Sequence, residues 1–248
     1  MNRSKGRHLL FRPFSMMYFF ILLLLLLLIL PFATVFLRGL FIRGLHIPPE
    51  AVGGVLLTSL IGSFINIPLT ELRSHAPIST YREISFFGVT WYMPRIETGV
   101  RKTVITLNVG GAFVPILIST YILTWVIPKG PDPLSEYLKT LPVFVLVMIV
   151  VYRSSRLVKG LGIATPAFVP PVITALSTIF LHWLDPAHSP ALIAYVGGTL
   201  GTLFGADLLN LRRLPRLGAS VVSIGGAGTF DGIYTTGLVS VLLVLLLL

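Results

Sequence analysis

The sequence predicts an all-α integral membrane protein with about seven transmembrane helices and a small β-hairpin between the second and the third helix. Hydrophobic residues make up 54% of the 248 residues, and charged residues make up only 11%. A typical soluble domain has about 25% charged residues. The apolar residues also form long blocks, and Met16–Phe36 contains no charged residue. Such a block is typical of a membrane-spanning helix.

Seven apolar segments are the predicted helices of a single polytopic domain, residues 1–248. The first has a longer apolar core than a cleaved signal peptide, so we expect a retained helix. The fourth is short and needs residues 134–140 to cross a bilayer. The fifth contains Pro166, Pro170 and Pro171, which favour a broken helix facing protein or water. The predicted helices are approximately residues 15–37, 51–69, 104–127, 141–152, 162–181, 191–209 and 229–248.

Residues 70–103 form the predicted extramembrane hairpin. Ile84–Met93 and Val100–Leu107 are rich in β-branched and aromatic residues, and Pro94–Gly99 between them carries turn signals. The later linker Gly218–Gly228 is rich in glycine, serine and alanine. Its composition is compatible both with a re-entrant loop and with an aqueous loop.

The basic residues predict an orientation. With the N-terminus inside, the inner segments contain 15 of the 19 Lys and Arg residues, and the outer loops contain four. The positive-inside rule therefore predicts a multi-pass protein of the cell membrane with its N-terminus in the cytoplasm and its C-terminus outside. We interpret the net charge of +10 in the same way. The lipid bilayer is the expected partner, and nucleic acid is not.

The composition also limits the chemistry and the source. The chain has no cysteine, which excludes disulfides and thiolate metal sites. It has no glutamine either, and a scarcity of thermolabile residues hints at a thermophilic source. His182, Asp185 and His188 share one outer loop, but their spacing is more typical of a solvated loop than of a metal site. No metal and no cofactor is predicted.

Two aspartates are the candidate catalytic residues. Asp207 and Asp231 fall near the inner ends of the consecutive antiparallel helices six and seven, and an acid inside a bilayer suggests function. Two close carboxyls share one proton, as in an aspartyl protease. Two structural alternatives stay open: Asp207 pairs with Arg212, and Asp231 caps the last helix. The other acids fall in predicted loops: Glu50, Glu71, Glu83, Glu97, Asp132, Glu136 and Asp185.

Small and amide residues near the two acids are the candidate supporting residues. Asparagines in helices donate interhelical hydrogen bonds or line a polar path. The glycine run Gly225–Gly228 is more typical of a close approach between helices or loops than of an anion nest, and its spacing fits no nucleotide motif. The supporting residues are Gly205, Asn210, Gly228, Gly232 and Asn108.

Two segments carry a family resemblance. Thr106–Ala112 and Ser223–Ile233 (which contains the run GGAGTFDGI), together with Gly205–Asp207, resemble a family of uncharacterised archaeal and bacterial membrane proteins, a domain of unknown function. The resemblance extends from about residue 50 onward. It implies a membrane location and no established activity.

A more distant likeness is to intramembrane aspartyl proteases of the presenilin and signal-peptide-peptidase type. Those enzymes also place one aspartate on an out-to-in sixth helix and one on an in-to-out seventh helix. The motifs differ, since Ala206 stands where that group has tyrosine, and Gly228–Asp231 departs from its Gly-x-Gly-Asp. The nearest match to its later Pro-Ala-Leu element is Pro166–Phe168, which comes earlier in the chain. The likeness is therefore one of topology.

Three functions follow from these observations. The first is an intramembrane aspartyl protease-like enzyme that cleaves a membrane-embedded peptide. The second is a transporter or channel for protons, cations or a small solute, because buried acids and broken helices are also transporter features. The third is a non-catalytic membrane scaffold. The few polar residues toward the outer face favour the protease over the transporter: Thr199, Thr202, Thr235 and Thr236.

Overall fold

The computed structural model describes residues 34–86, 89–158, 162–217 and 221–248, together with Phe20, Leu23, Leu24 and Leu28. The side chains at 73–101, 212, 214–217 and 230 are outside this description. The chain divides into two compact units, Met1–Gly39 and Leu40–Leu248. Most of the first predicted helix, residues 15–37, lies outside the described residues. The fold below is that of the second unit.

Helices make up most of the described part of the second unit. A short π-helix, Leu40–Gly44, comes first. Two of the later helices are lengthened by π-helical and 3-10 turns into the continuous helical runs Val109–Lys129 and Pro190–Leu211. The α-helices are α1 (Pro49–Gly62), α2 (Val114–Tyr121), α3 (Pro133–Ser154), α4 (Val169–Leu184), α5 (Pro190–Thr202) and α6 (Gly232–Leu247).

Three helical segments in the described part of the chain are long and apolar enough to cross a membrane: Val109–Lys129, Pro133–Ser154 and Pro190–Leu211. A fourth is added if a bent helix pair that ends at Gly62 counts as one span. Helices α4 and α6 are apolar but have 16 residues each. Such a helix is about 24 Å long, and a hydrocarbon core is about 30 Å thick. The three long helices fit a membrane protein, but seven transmembrane helices are not confirmed.

Several predicted helix boundaries are wrong, because strands replace helix ends. The second predicted helix ends at Gly62 instead of residue 69, and the third begins at Val109 instead of residue 104. The residues between belong to a hairpin whose base is the pair Asn66 and Asn108. Backbone pairing across this hairpin satisfies the N–H and C=O groups that a longer helix would otherwise have to satisfy.

Two further differences between the predicted and the observed helices concern the residue at which a helix begins. Helix α3 begins at Pro133, where the Asp132 side chain accepts a hydrogen bond of 3.2 Å from Ser135 N. The fourth predicted helix is therefore long enough to cross a bilayer. Helix α4 begins at Val169, with Pro170 and Pro171 in its first turn. First-turn prolines are tolerated because the N–H groups there have no partner within the helix. The prolines start this helix instead of breaking it.

The hairpin is present, but its turn is not where the sequence pattern placed it. Strand β1 (Asn66–Phe86) pairs antiparallel with β2 (Val89–Asn108). Pro94 lies inside β2 opposite Tyr81, so the prediction of a turn at residues 94–99 is wrong. The described pairing instead continues to Phe86 and Val89.

Three shorter strands complete the sheets of the described residues. Strands β3 (Arg156–Val158) and β4 (Gly162–Ala164) form an antiparallel pair. Strand β5 (Val221–Ile224) pairs in parallel with the end of β2. The linker predicted as a re-entrant or aqueous loop therefore contains a strand, followed by the turn Gly225–Ala227. This strand brings the chain to Asp231.

Helix α5 lies at the centre of the packing, and glycines permit its close contacts. A Cβ added at Gly197 would lie 2.7 Å from Val143 Cγ1, and one at Gly201 would lie 2.8 Å from Val147 Cβ, both on α3. A Cβ at Gly198 would lie 2.8 Å from Thr174 Cγ2 on α4 and 3.1 Å from Thr236 Cγ2 on α6. Small residues of this kind let helix backbones approach closely in lipid.

Candidate active site

Asp231 is the N-cap of α6. Its Oδ1 accepts a hydrogen bond of 3.0 Å from Ile233 N, and its Oδ2 accepts one of 3.3 Å from Ala227 N. Aspartate is a favoured N-cap because its carboxylate satisfies N–H groups that have no partner within the helix. The structural alternative for Asp231 is thus confirmed. The same bonds hold its carboxyl group in a defined position.

The turn that leads to Asp231 depends on two glycines. Gly225 and Gly228 have φ values of +70° and +64°, where side chains with a Cβ are strained. A Cβ at Gly228 would also lie 2.5 Å from Ser63 Cβ, and the Ser63 hydroxyl accepts a hydrogen bond of 3.0 Å from Thr229 N. The turn therefore packs directly on the end of α1.

Asn108 connects this turn to the rest of the fold. Its Oδ1 accepts a hydrogen bond of 2.8 Å from Gly111 N, and its Nδ2 donates to Ser63 O and to Asn66 Oδ1. The backbone of Gly111 in turn packs against the carbonyl of Gly225, with no room for a Cβ. The two motif segments Thr106–Ala112 and Ser223–Ile233 thus pack against each other. Asn108 therefore supports the turn before Asp231 and does not line the site.

Asp207 lies at the end of a π-helical turn, Leu203–Asp207, that follows α5. Such turns frequently occur at functional sites. The Nδ2 of Asn210 donates to the carbonyls of Gly205 and Ala206 at 3.2 and 2.9 Å, and this stabilises the helix end. A Cβ at Gly205 would lie 2.5 Å from Met148 O, so the turn packs closely on α3. Asn210 and Gly205 therefore fix the backbone beside the acid.

The two aspartates differ in their hydrogen bonding. Among the described residues, no hydrogen bond or ion pair to the Asp207 carboxyl is present. Its alternative partner Arg212 has its side chain outside the described set, so the pairing of Asp207 with Arg212 stays a prediction. Asp231, in contrast, already accepts two backbone hydrogen bonds.

Both aspartates line one cavity of about 240 Å³, called here the aspartate cavity. Among the described residues, no Lys, Arg or His side chain that would neutralise them lines this cavity. The cavity is lined by Ile163, Ala164, Thr165, Thr202, Ala206, Asp207, Ala227, Asp231, Gly232 and Ile233.

Gly232 and Thr202 face each other across this cavity. A Cβ at Gly232 would lie 3.8 Å from Thr202 Cγ2, which is ordinary van der Waals contact. The Thr202 hydroxyl is buried and has no hydrogen-bond partner among the described residues. The same is true of Thr236 on α6 and Thr178 on α4. The sequence pattern showed the threonines on the sixth and seventh predicted helices but not their burial.

The histidines have local partners instead of a metal geometry. His182 Nδ1 accepts a hydrogen bond of 3.0 Å from Ala187 N, and Asp185 forms an ion pair of 2.7 Å with Lys139. Within the described ranges, no group of three or more His, Cys, Asp or Glu side chains is placed to hold a metal ion.

Glu136 is the acid that sequence reasoning misplaced. It was expected in a loop, but it lies in the first turn of α3 and is only 5% exposed. The run Pro133-Leu134-Ser135-Glu136 has the proline and acidic residue of a helix start. That signal could have placed Glu136 in the helix.

The sequence was also compared with known proteins. No curated protein and no solved structure matches the chain. The model of the family described as "Protein of unknown function (DUF1614)" matches residues 60–243, which is more than half of the chain. This range contains both aspartates and the two motif segments that pack together before Asp231. The chain therefore belongs to the DUF1614 family.

Proposed function

We propose that the protein is an intramembrane aspartyl protease-like hydrolase that activates water with Asp207 and Asp231. The observation that carries this proposal is that both aspartates line the same cavity, and that no basic side chain among the described residues lines it. An aspartyl pair needs two carboxyls that are close enough to share one proton, and residues of one cavity lining support that requirement.

The packing of α5 and α6 supports the pairing. Gly232 faces Thr202, and Thr236 packs on Gly198, which is one turn farther from the cavity on each helix. These contacts follow an antiparallel register. The end of one helix and the start of the next therefore come to the same depth. Asp207 follows Thr202 by five residues and Asp231 directly precedes Gly232, so both acids lie beyond these contacts, where each lines the cavity.

The chemistry would use one carboxylate and one carboxylic acid. The carboxylate accepts a proton from water, whose oxygen forms a bond to the carbonyl carbon of the peptide. The carboxylic acid donates its proton to the carbonyl oxygen. When the C–N bond breaks, the amine leaves with a proton returned by the pair. No cofactor is required, and the substrate is a membrane-embedded peptide.

The orientation belongs to the same proposal. Fifteen of the 19 basic residues lie in the segments that the predicted seven-helix topology assigns to the side of the N-terminus, which supports a cytoplasmic N-terminus and an external C-terminus in the cell membrane. The aspartate cavity would then lie toward the cytoplasmic face.

The test is cleavage of single-span helical reporters by the full chain in proteoliposomes. Asp207→Asn and Asp231→Asn should each lower the rate by at least about 10²-fold, the usual contribution of a general acid or base. Glu50→Gln is the control, since Glu50 is exposed and does not line the aspartate cavity. Full activity in both asparagine variants would refute the aspartyl pair, and so would a wild type that cleaves no reporter.

A second candidate is coupled transport of protons or cations. The buried hydroxyls of Thr178, Thr202 and Thr236 favour it, because they lie on three packed helices and have no hydrogen-bond partner among the described residues. Such groups are typical contacts of buried water. Flux of protons into the same proteoliposomes, measured with an internal pH dye, should then be lost in Asp207→Asn. If neither cleavage nor flux occurs, the scaffold is the remaining candidate.

A further inference from the structure

A second cavity of about 320 Å³ lies at the other end of α5, and it is called here the glutamate cavity. It is lined by residues at the start of α3 and α5, whereas the aspartate cavity lies beyond the end of α5. Leu192 lines the glutamate cavity and Thr202 lines the aspartate cavity, and ten residues of helix separate these two positions by about 15 Å. The side chains that matter for its chemistry are Glu136, Lys129, Trp125, Tyr121, His46 and His188.

Glu136 supplies the negatively charged group of the glutamate cavity. Its Oε1 accepts a hydrogen bond of 2.9 Å from Ser189 N, which fixes the carboxylate against the start of α5. Its Oε2 is buried and has no hydrogen-bond partner among the residues that the structure describes. A buried carboxylate oxygen without a donor is costly. A ligand that donates to Oε2 would remove that cost.

Lys129 supplies the positively charged group of the glutamate cavity. Its Nζ lies 3.3 Å from the centre of the Trp125 ring. The ion pairs among the described side chains join Lys102 with Glu71 and Lys139 with Asp185, and none includes Lys129. An ammonium group held by an aromatic face and without a carboxylate partner is available for an anionic group of a ligand.

The remaining walls give the cavity a shape suited to a small organic molecule. Trp125 and Tyr121 supply aromatic surface. The backbone of His46 has φ +54°, a left-handed conformation that is uncommon outside glycine and often found at ligand sites. The volume is at the lower end of the range for small-molecule pockets.

We propose that the glutamate cavity binds a small zwitterion, an α-amino acid or a dipeptide. The ammonium group of the ligand donates to Glu136 Oε2, and its carboxylate accepts from Lys129 Nζ. The side chain of the ligand packs on Trp125. This proposal does not rest on the aspartyl pair, because no residue lines both cavities.

The test is calorimetric binding to the full chain in detergent, with L-alanine, L-leucine, L-phenylalanine and the dipeptide Ala-Ala as probes. Each probe is compared with its N-acetyl derivative, which lacks the ammonium group, and with its methyl ester, which lacks the carboxylate. At least one probe should bind, and each blocked form should bind at least about tenfold more weakly, since each loses one charge-assisted hydrogen bond.

Two substitutions test the negatively and the positively charged group of the glutamate cavity separately. Glu136→Gln and Lys129→Gln should each weaken binding by at least about tenfold, while the control Glu50→Gln should not change it. Lys129 is exposed, so its variant tests the proposal even if Glu136→Gln does not fold. Absence of binding by every probe would overturn the proposal, as would equal binding of the blocked forms or unchanged affinity in Lys129→Gln.

The same measurement separates this proposal from the proposed hydrolase. Asp207→Asn and Asp231→Asn should bind the zwitterion with unchanged affinity while they fail to cleave a helical reporter. Loss of zwitterion binding in both aspartate variants would show that the ligand occupies the aspartate cavity, and it would overturn the assignment to Glu136.

Discussion

The aspartate cavity and the glutamate cavity lie at opposite ends of one helical run, and they are built in different ways. The aspartate cavity is held by backbone: two left-handed glycines, a π-helical turn and a capping interaction position its acids. The glutamate cavity is formed by side chains of opposite charge and by aromatic rings. One oxygen of Glu136 has no donor among the described residues.

This difference shows that an acid near a membrane-spanning helix can either stabilise the backbone or present a free oxygen to a ligand. Asp231 uses both carboxyl oxygens for backbone N–H groups, so part of its role is structural. Glu136 uses one oxygen for Ser189 N and presents the other without a partner. The aspartate cavity, which is positioned by backbone, should be most sensitive to an added Cβ. The glutamate cavity, which is formed by charged side chains, should be most sensitive to loss of charge.

The largest expected loss of stability comes from Gly228→Ala. Its φ of +64° and the 2.5 Å approach to Ser63 Cβ leave no unstrained place for a methyl group. We expect a loss of about 2–4 kcal/mol in the free energy of unfolding. The measurement is unfolding by SDS in mixed micelles, with hydrogen exchange to locate the change at residues 225–233.

Gly54→Ala is the matched control for Gly228→Ala. A Cβ at Gly54 has no atom within 4 Å, so the free energy of unfolding should not fall in Gly54→Ala and should rise by up to about 1 kcal/mol, because alanine has the higher helix propensity. Equal stability of the two alanine variants would contradict a backbone-built aspartate cavity. Increased exchange at residues 133–140 in Gly228→Ala would show that the two cavities are not independent.

Asn108→Ala should have the next largest effect. Asn108 is fully buried and forms three hydrogen bonds that connect β2 to α1 and to the turn of Gly111. Removing the amide leaves buried partners unpaired, and we expect a loss of about 2 kcal/mol in the same unfolding assay. Thr124→Ala is the control because its exposed hydroxyl bonds only within its own helical run. A neutral Asn108→Ala would refute the connecting role of this residue.

The smallest expected effect separates capping from catalysis at Asp231. Asp231→Ala removes the cap of α6 and should cost about 1 kcal/mol of stability, whereas Asp231→Asn keeps the bond from Ile233 N, loses the longer one from Ala227 N, and should cost less. Asp231→Asn should nevertheless abolish reporter cleavage. Wild-type cleavage by Asp231→Asn would leave only the structural role of this residue.

Periodicity and composition predicted the long helices better than their connections. The charge-free blocks correctly indicated helices over α3 and α5, because a run of apolar residues has few other stable structures in lipid. The same reasoning extended the helices at residues 63–69 and 104–108 into what is a hairpin. The apolar residues there favour strand and helix about equally, and only the pairing of Asn66 with Asn108 decides between them.

The candidate sites show the same division. Asp207 and Asp231 were found from sequence because acids beside apolar helices are rare, and the structure places both at one cavity. Glu136 was missed because burial by Ser189, a residue 53 positions away, cannot be read from the neighbours of Glu136 in the chain. The two alternatives for Asn108, a hydrogen-bond donor between segments or the lining of a polar path, could not be separated from sequence, since its partner Ser63 lies 45 positions away.

By itself, the sequence determined that this chain is rich in long apolar helices, that it belongs with membrane proteins in composition, and that two aspartates interrupt the apolar pattern. These properties depend on residue type and local order alone. The tertiary structure decided which residues pair across the hairpin, that Asp231 caps a helix, and that Glu136 is buried in a cavity that Lys129 also lines. Those features depend on contacts between distant segments, whose energies are comparable to the local preferences that they override.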